Sequence, residues 1–460
     1  MQSTASITGL GTKQGIVGIE ALKVYCGLAY IQVGAIFEGR GLDPGRLSNL
    51  MMEKRSIGFP FEDPVTNAVN AAKPIIDRLD ADELDRIEIV ITSSESGVDY
   101  SKSITSYVHE YLGLSRNCRL IEVKQACYAA TAALQMAAGY VASGISPGCK
   151  VLVIATDVSL VNENAGYTEP VMGTGAAAIL ISDQPRVMAI DFGAFGNYSF
   201  ETLDSARPSP EFDIADVDRS LFAYLDCLSN SFEEYRSKVN DVDFVETFDY
   251  LAMHTPFAGL VKAAHRKMMR EFAHASPQQV EQDFTRRVKP SLEYPGIVGN
   301  LCSGSVYLGL ASIIDRAPYT GACRVGLFSY GSGCSSEFFS GIIDRGSAAV
   351  QAHFGIAEHL QSRFELTFDE YTELLEENLR CLRPVDNRDI NIEQYGGFLE
   401  RTTKNAEILV LTGVRNFHRQ YKWTRLPCFS QPDKTKDPSR TELDRQAFEK
   451  DVNQIVQAGW

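Results

Sequence analysis

Seven apolar runs punctuate the chain, each rich in β-branched or small residues and short enough for a buried strand. They are RIEIVIT (86–92), KVLVIATD (150–157), GTGAAAILIS (173–182), FDYLAM (248–253), CRVGLFSY (323–330), GSGCSSEFFSGII (331–343) and EILVLTGVR (407–415). Between them lie two long stretches without a single charge, Gln125 to Cys149 and Tyr294 to Ile314. Their Ala, Gly and Ser content gains too little from transfer to lipid for a membrane span, so each is predicted to be a helix buried on all sides. The order strand, uncharged helix, strand, Gly-x-Gly turn, strand occurs twice. That repeat predicts a duplicated α/β fold in layers, with the two buried helices packed together and two halves related by a pseudo-twofold axis. The expected divisions are a first half at 15–183, a second at 184–345, a region completing the fold at 346–430 and a polar tail at 431–460. Residues 198–240 and 262–291 are polar with helical patterns and are expected to decorate the core, while Ala349 to Leu382 reads as acidic amphipathic helices.

Composition narrows the function classes. With Lys+Arg 44 against Asp+Glu 59 the net charge is -15, which disfavours non-specific binding to nucleic acid and leaves any acidic partner dependent on a local basic patch. The ten cysteines are scattered, without a CxxC pair or a histidine at ligand spacing, so reduced thiols in a cytoplasm and no metal site are expected. The first residues, MQSTASITGLGTKQ, lack the charged and apolar regions of a signal peptide.

Candidate chemistry sits at the ends of the predicted strands. Cys127 opens the first uncharged helix, where unpaired N–H groups and the positive dipole end are expected to lower a thiol's pKa. Cys302 stands at a corresponding place in the second half, so position alone does not separate a nucleophile from a small buried filler. Glu95 follows IVITSS and His254 follows DYLAM, which makes them pseudo-twofold mates at the carboxyl edge of the sheet. A thiol, a carboxylate and an imidazole at one edge supply a nucleophile, a base and an acid. The turn Ser329 to Gly333 adds backbone N–H groups, that of Ser332 above all, able to stabilise an oxyanion.

Six ordered segments carry a family likeness: SSESGVDYSKSI around Glu95, QACYAATAALQMA around Cys127, AGYTEPVMGTGAAAIL around Tyr167, FDYLAMHTPFAGLVK around His254, VGNLCSGSVYLGLAS around Asn300 and GLFSYGSG around Ser332. Through them the chain resembles the 3-hydroxy-3-methylglutaryl-CoA (HMG-CoA) synthases of the thiolase-like superfamily, over roughly residues 15 to 425. The resemblance implies a thiolase-like αβαβα fold, a homodimer and a condensation through an acyl-cysteine. Cys127 would take an acetyl group, Glu95 would remove a proton from its methyl, and His254 would protonate the alkoxide formed on a β-ketone. Asn300 and Ser332 would orient the acceptor thioester, and Tyr167 would line the cavity.

Departures from the family pattern point to one branch of it. Synthases of primary metabolism typically carry a lysine that helps hold CoA where this chain has Gly259, and NACYGGTAAL where it has QACYAATAAL. Both wordings look like the HMG synthases of polyketide β-branching cassettes, which take acetyl from a donor acyl carrier protein and add it to a β-ketoacyl chain on an acceptor carrier protein. No bound cofactor is expected; the phosphopantetheine thioester, or CoA, is the substrate carrier. Lys262, Arg266, Lys267 and Arg270 would then form a basic face for a carrier protein or its phosphate. Three alternatives remain at this point: an HMG-CoA synthase of primary metabolism, a chain-elongating ketoacyl synthase, and a non-catalytic partner of the same fold.

Overall fold

Nine strands pair into one sheet in the computed structural model, which describes residues 16–209, 212–402 and 406–426. The polar tail at 431–460 and most of the leading segment lie outside the described residues. The strands are β1 (Gly18–Tyr25), β2 (Ile87–Ser93), β3 (Arg119–Val123), β4 (Lys150–Asp157), β5 (Gly175–Ser182), β6 (Met188–Ser199), β7 (Tyr250–Met253), β8 (Cys323–Gly331) and β9 (Ser335–Ile343). Their spatial order is β3-β2-β4-β5-β1-β6-β9-β8-β7. Read outward from the β1–β6 junction, the first half runs β1-β5-β4-β2 and the second β6-β9-β8-β7, which is the expected duplication expressed as strand order. β2 and β4 are parallel neighbours, as are β7 and β8. Both pairs are almost wholly buried, which explains why they read as unbroken apolar runs. Glu95 and His254 follow the equivalent strands β2 and β7.

Seven helices matter to the site: α1 (Leu47–Leu50), α2 (Pro64–Ile76), α3 (Ala129–Ala142), α4 (Val217–Lys238), α5 (Ala258–Ala273), α6 (Lys289–Val298) and α7 (Ser305–Arg316). The two helices of the duplication, α3 and α7, share one core cluster with the sheet, through Ala133, Leu134 and Ala137 on one and Val306, Leu310 and Ile313 on the other. Small residues on α3 let the two approach, and Thr131 Oγ1 lies 2.9 Å from the Tyr307 hydroxyl.

Two expectations about these stretches are corrected. The first helix is shorter than its uncharged run and is not buried all round, since Met136 is 54% exposed. The second stretch is not one helix. Gly299, at φ 98°, ends α6, and Cys302, at φ 48°, precedes α7. A glycine there accepts a conformation other residues resist. A Cβ on it would also lie 2.8 Å from the carbonyl oxygen of Met172. The break therefore lets segment 299–304 press against the first half, and it carries Asn300 and Cys302 into the site.

The late strand appears as expected at Ala406–Arg415, in a small antiparallel sheet with His418–Leu426. It is fixed to α2: Asn70 pairs with both backbone groups of Leu409, and Arg419 bonds the buried Asp63 at 2.9 Å. Among the described residues no helix is long and apolar enough to cross a membrane.

Candidate active site

Glu95 lies two residues past β2, and its position is set by Asp157, the last residue of β4. The Glu95 N–H donates to Asp157 Oδ1 at 2.8 Å, and Ser96 Oγ donates to the same oxygen at 3.0 Å. Ser93 Oγ, at the end of β2, sits 2.6 Å from Ser303 Oγ and so ties this loop to the segment that carries Asn300. Ala126 and Cys302 have positive φ, 44° and 48°, and each stands three residues before the first residue of its helix. Cys302 is thus the counterpart of Ala126 rather than of Cys127, a one-residue offset that brings two thiols into one cluster. The Cys127 thiol donates to Glu95 Oε1 at 3.0 Å, and the ligating atoms of Glu95, Cys127 and Cys302 all lie within 4.8 Å of one another.

The electrostatics overturn the expected thiolate. A hydrogen bond from Cys302 is the largest single influence on Cys127 and favours its thiolate, but burial and the neighbouring Glu95 carboxylate outweigh it and push the thiol up to about 12. The end of a helix contributes about 1 kcal/mol to a charge, too little against a carboxylate in direct contact. Burial, followed by the proximity of Glu95, likewise raises Asp157 to about 8. The site therefore concentrates negative potential, and its nucleophile rests as a thiol.

His254 follows β7, with its N–H bonded to Phe328 on β8 and its carbonyl accepting from Tyr224 on α4. Burial lowers its pKa to about 3, which leaves a neutral imidazole, and its Nδ1 is enclosed without a hydrogen-bond partner. Its ring centroid is 6.5 Å from that of Tyr330. The next residue, Gly331, touches the nucleophile's loop: a Cβ there would lie 2.4 Å from the Gln125 oxygen and 2.6 Å from the Tyr128 nitrogen. Only a glycine lets the turn bearing Ser332 seat on Cys127. Asp204 holds that turn by accepting from the Tyr330 hydroxyl at 2.6 Å and the Gly333 N–H at 2.8 Å. Asn300 Oδ1 accepts from the Cys302 N–H and from Ser305 Oγ, while its Nδ2 faces Met172 Sδ at 3.6 Å.

Tyr167 lies in segment 163–171, whose Ala165 packs with Cys127 and Cys302. Its contacts are the Asp43 N–H at 3.3 Å, the Phe37 ring at 5.9 Å and the Arg46 guanidinium at 4.7 Å. The basic face on α5 is half neutralised: Lys262 pairs with Glu281 at 2.9 Å and Lys267 with Glu271 at 2.8 Å. Arg266 and Arg270 are exposed and have no ion-pair partner among the described residues. Gly259, near the start of α5, faces α1 so closely that a Cβ would lie 1.8 Å from the Asn49 oxygen. The space a lysine would need is filled by main chain.

Sequence reasoning missed Asp157, although it ends an apolar strand just as Glu95 follows one. It also missed Glu337, which accepts from the Tyr128 hydroxyl at 2.8 Å and from Gln135, and whose carboxyl burial raises to about 7. That residue lies inside a strand and gave no end-of-strand signal.

Two family models match the chain: the N-terminal region of hydroxymethylglutaryl-coenzyme A synthase over residues 13–185 and its C-terminal region over 270–394. A Bacillus subtilis relative, polyketide biosynthesis 3-hydroxy-3-methylglutaryl-ACP synthase PksG, is 46% identical over 88% of this chain and 99% of its own. The hydroxymethylglutaryl-CoA synthase of Enterococcus faecalis is 32% identical over 79% and 92%. Among solved structures, the HMG synthase of the curacin biosynthetic pathway, in complex with acetyl donor-ACP, superposes with a TM-score of 0.86 at 46% identity, covering 89% of this chain and 100% of that one. MvaS in complex with 3-hydroxy-3-methylglutaryl coenzyme A gives 0.78 at 28% identity, covering 89% and 99%.

Proposed function

This chain belongs to the hydroxymethylglutaryl-CoA synthase family, and from that premise we propose that it is an HMG synthase of polyketide β-branching. It condenses acetyl from a donor acyl carrier protein with the β-ketone of a β-ketoacyl chain on an acceptor carrier protein. The observation that carries the chemistry is the Cys127 thiol bonded to the Glu95 carboxylate at 3.0 Å. Because that thiol rests protonated, Glu95 takes its proton as the sulfur attacks the acetyl thioester and returns it to the departing pantetheine sulfur.

Glu95, again a carboxylate, then removes a proton from the acetyl methyl, and the resulting carbon bonds to the acceptor's β-carbon. His254 is neutral, so it serves the developing alkoxide by donating an N–H hydrogen bond, and the proton that neutralises the alkoxide comes from Glu95. Water hydrolyses the remaining thioester and frees Cys127. The Ser332 N–H and the Asn300 amide hold the acceptor thioester.

A carrier-borne donor is supported by Gly259, whose packing against Asn49 leaves no room for a phosphate-binding lysine. Arg266 and Arg270 remain available to an acidic carrier protein, and a free phosphopantetheine arm needs no nucleotide site. Homodimerisation is supported by the exposed edge strand β3, where Ile121 is 42% exposed beside α3.

Reconstitution tests the reading. With acetyl-donor carrier protein and β-ketoacyl-acceptor carrier protein, the acceptor should gain the elements of acetic acid by intact mass. An acceptor that stays unchanged while Cys127 becomes acetylated would overturn it.

A further inference from the structure

We infer that Glu95, Cys127 and Cys302 form a binding site for a thiophilic divalent cation, zinc, whose occupancy excludes the acetyl group from Cys127. Spacing along the sequence gives no hint of it, because the three ligands come from three separate loops and no histidine is involved. In space, their ligating atoms all lie within 4.8 Å of one another, and Cys127 Sγ is 3.0 Å from Glu95 Oε1. Tetrahedral zinc takes thiolate sulfur at about 2.3 Å and carboxylate oxygen at about 2.0–2.2 Å, so its ligands sit roughly 3.5–3.8 Å apart. Only small side-chain movements separate the observed cluster from that arrangement.

A second observation favours a cation here. Asp157, whose Oδ1 accepts from the Glu95 N–H at 2.8 Å, is 1% exposed, and its Oδ2 has no hydrogen-bond partner. A divalent ion held by the Glu95 carboxylate and the two sulfurs would make thiolates of both thiols and offset their charge. The thiol pair selects zinc over magnesium, which prefers oxygen ligands. On binding, each thiol gives its proton to solvent, both sulfurs ligate as thiolates and no electrons move. A fourth position stays open for water. The binding itself rests on geometry alone, while the exclusion of acetyl rests on the proposed role of Cys127.

The experiment uses the full chain, kept reduced with a non-thiol reductant, and equilibrium dialysis against zinc chloride with metal analysis. Wild type should bind one zinc per chain, and Cys302→Ala should bind it at least tenfold more weakly. Cobalt(II) in place of zinc should give a near-ultraviolet thiolate-to-metal band that is reduced in Cys302→Ala and absent in Cys127→Ala/Cys302→Ala. Circular dichroism checks the fold, and Cys302→Ser replaces the alanine variant if that one unfolds. Zinc binding equal in wild type and in the Cys302 variant, no zinc bound, or a cobalt complex without the thiolate band would each overturn the site. Zinc bound through both thiols with acetylation undiminished would instead refute the exclusion of acetyl and leave the condensation chemistry to be judged on its own assay.

Discussion

Replacing Glu95 by Gln removes the charge that bears on the Cys127 thiol while keeping the side chain's shape. At the observed contact of 3.0 Å, two full charges would repel by about 5 kcal/mol at an effective dielectric near 20. The glutamine amide retains a polar partner for sulfur and the site relaxes, so a third to a half of that repulsion, about 1.5–3 kcal/mol, is the expected relief, equal to roughly 1–2 pKa units. Since the thiol begins near 12, the thiolate fraction at pH 8 rises in direct proportion, about 10- to 100-fold. The assay is alkylation by iodoacetamide at pH 8, with the peptide containing Cys127 quantified by mass spectrometry. Glu95→Gln should alkylate about 10- to 100-fold faster than wild type and yet lose condensation. Faster modification with lost turnover separates a reactive thiol from a competent active site. An alkylation rate equal to or below wild type would refute the argument that Glu95 holds the thiol protonated.

Glu337 gives a pH-dependent stability. Its folded pKa, raised to about 7 by burial, exceeds its unfolded value near 4.3, so the folded state keeps a proton that the unfolded state releases between those values. The contribution is fully present below about pH 4.3 and is lost as pH rises through about 7, on the order of 3 kcal/mol in all. Glu337→Gln should therefore gain stability relative to wild type between pH 5 and pH 8, read from urea midpoints; a pH-independent difference would show that the carboxyl is not the titrating group. Gly259→Lys should not confer use of CoA thioesters, because its Cβ collides with the Asn49 carbonyl; it should cost about 1–3 kcal/mol as α1 is displaced. Brisk turnover of acetyl-CoA by that variant would show that the lysine position is open.

The strands of both halves were legible because parallel strands buried on two faces must be apolar through their middles, as β2 (IVI), β4 (VLVIA) and β8 (VGLF) are. The break between α6 and α7 was not: Gly299 and Asn300 sit inside an uncharged run whose composition looks helical throughout, and only the close approach of Met172 shows why the chain turns there. Of the site, Cys127, Glu95 and His254 were legible from their places at strand and helix ends. The charge state of Cys127 was not, because the helix-end argument counts backbone dipoles and omits a carboxylate arriving from another loop. The basic segment on α5 illustrates the same limit, since pairing of Lys262 and Lys267 with Glu281 and Glu271 depends on partners that charge counting along the sequence does not weigh.

The most direct measurement offers acetyl-CoA and acetyl-carrier protein separately to the enzyme and follows Cys127 by intact-protein mass. A single acetyl adduct on Cys127 that forms much faster from the carrier protein, and is absent in Cys127→Ala, is the expected result. Equal or faster acetylation from acetyl-CoA, unimproved by any carrier protein, would contradict the carrier-dependent condensation proposed for this chain.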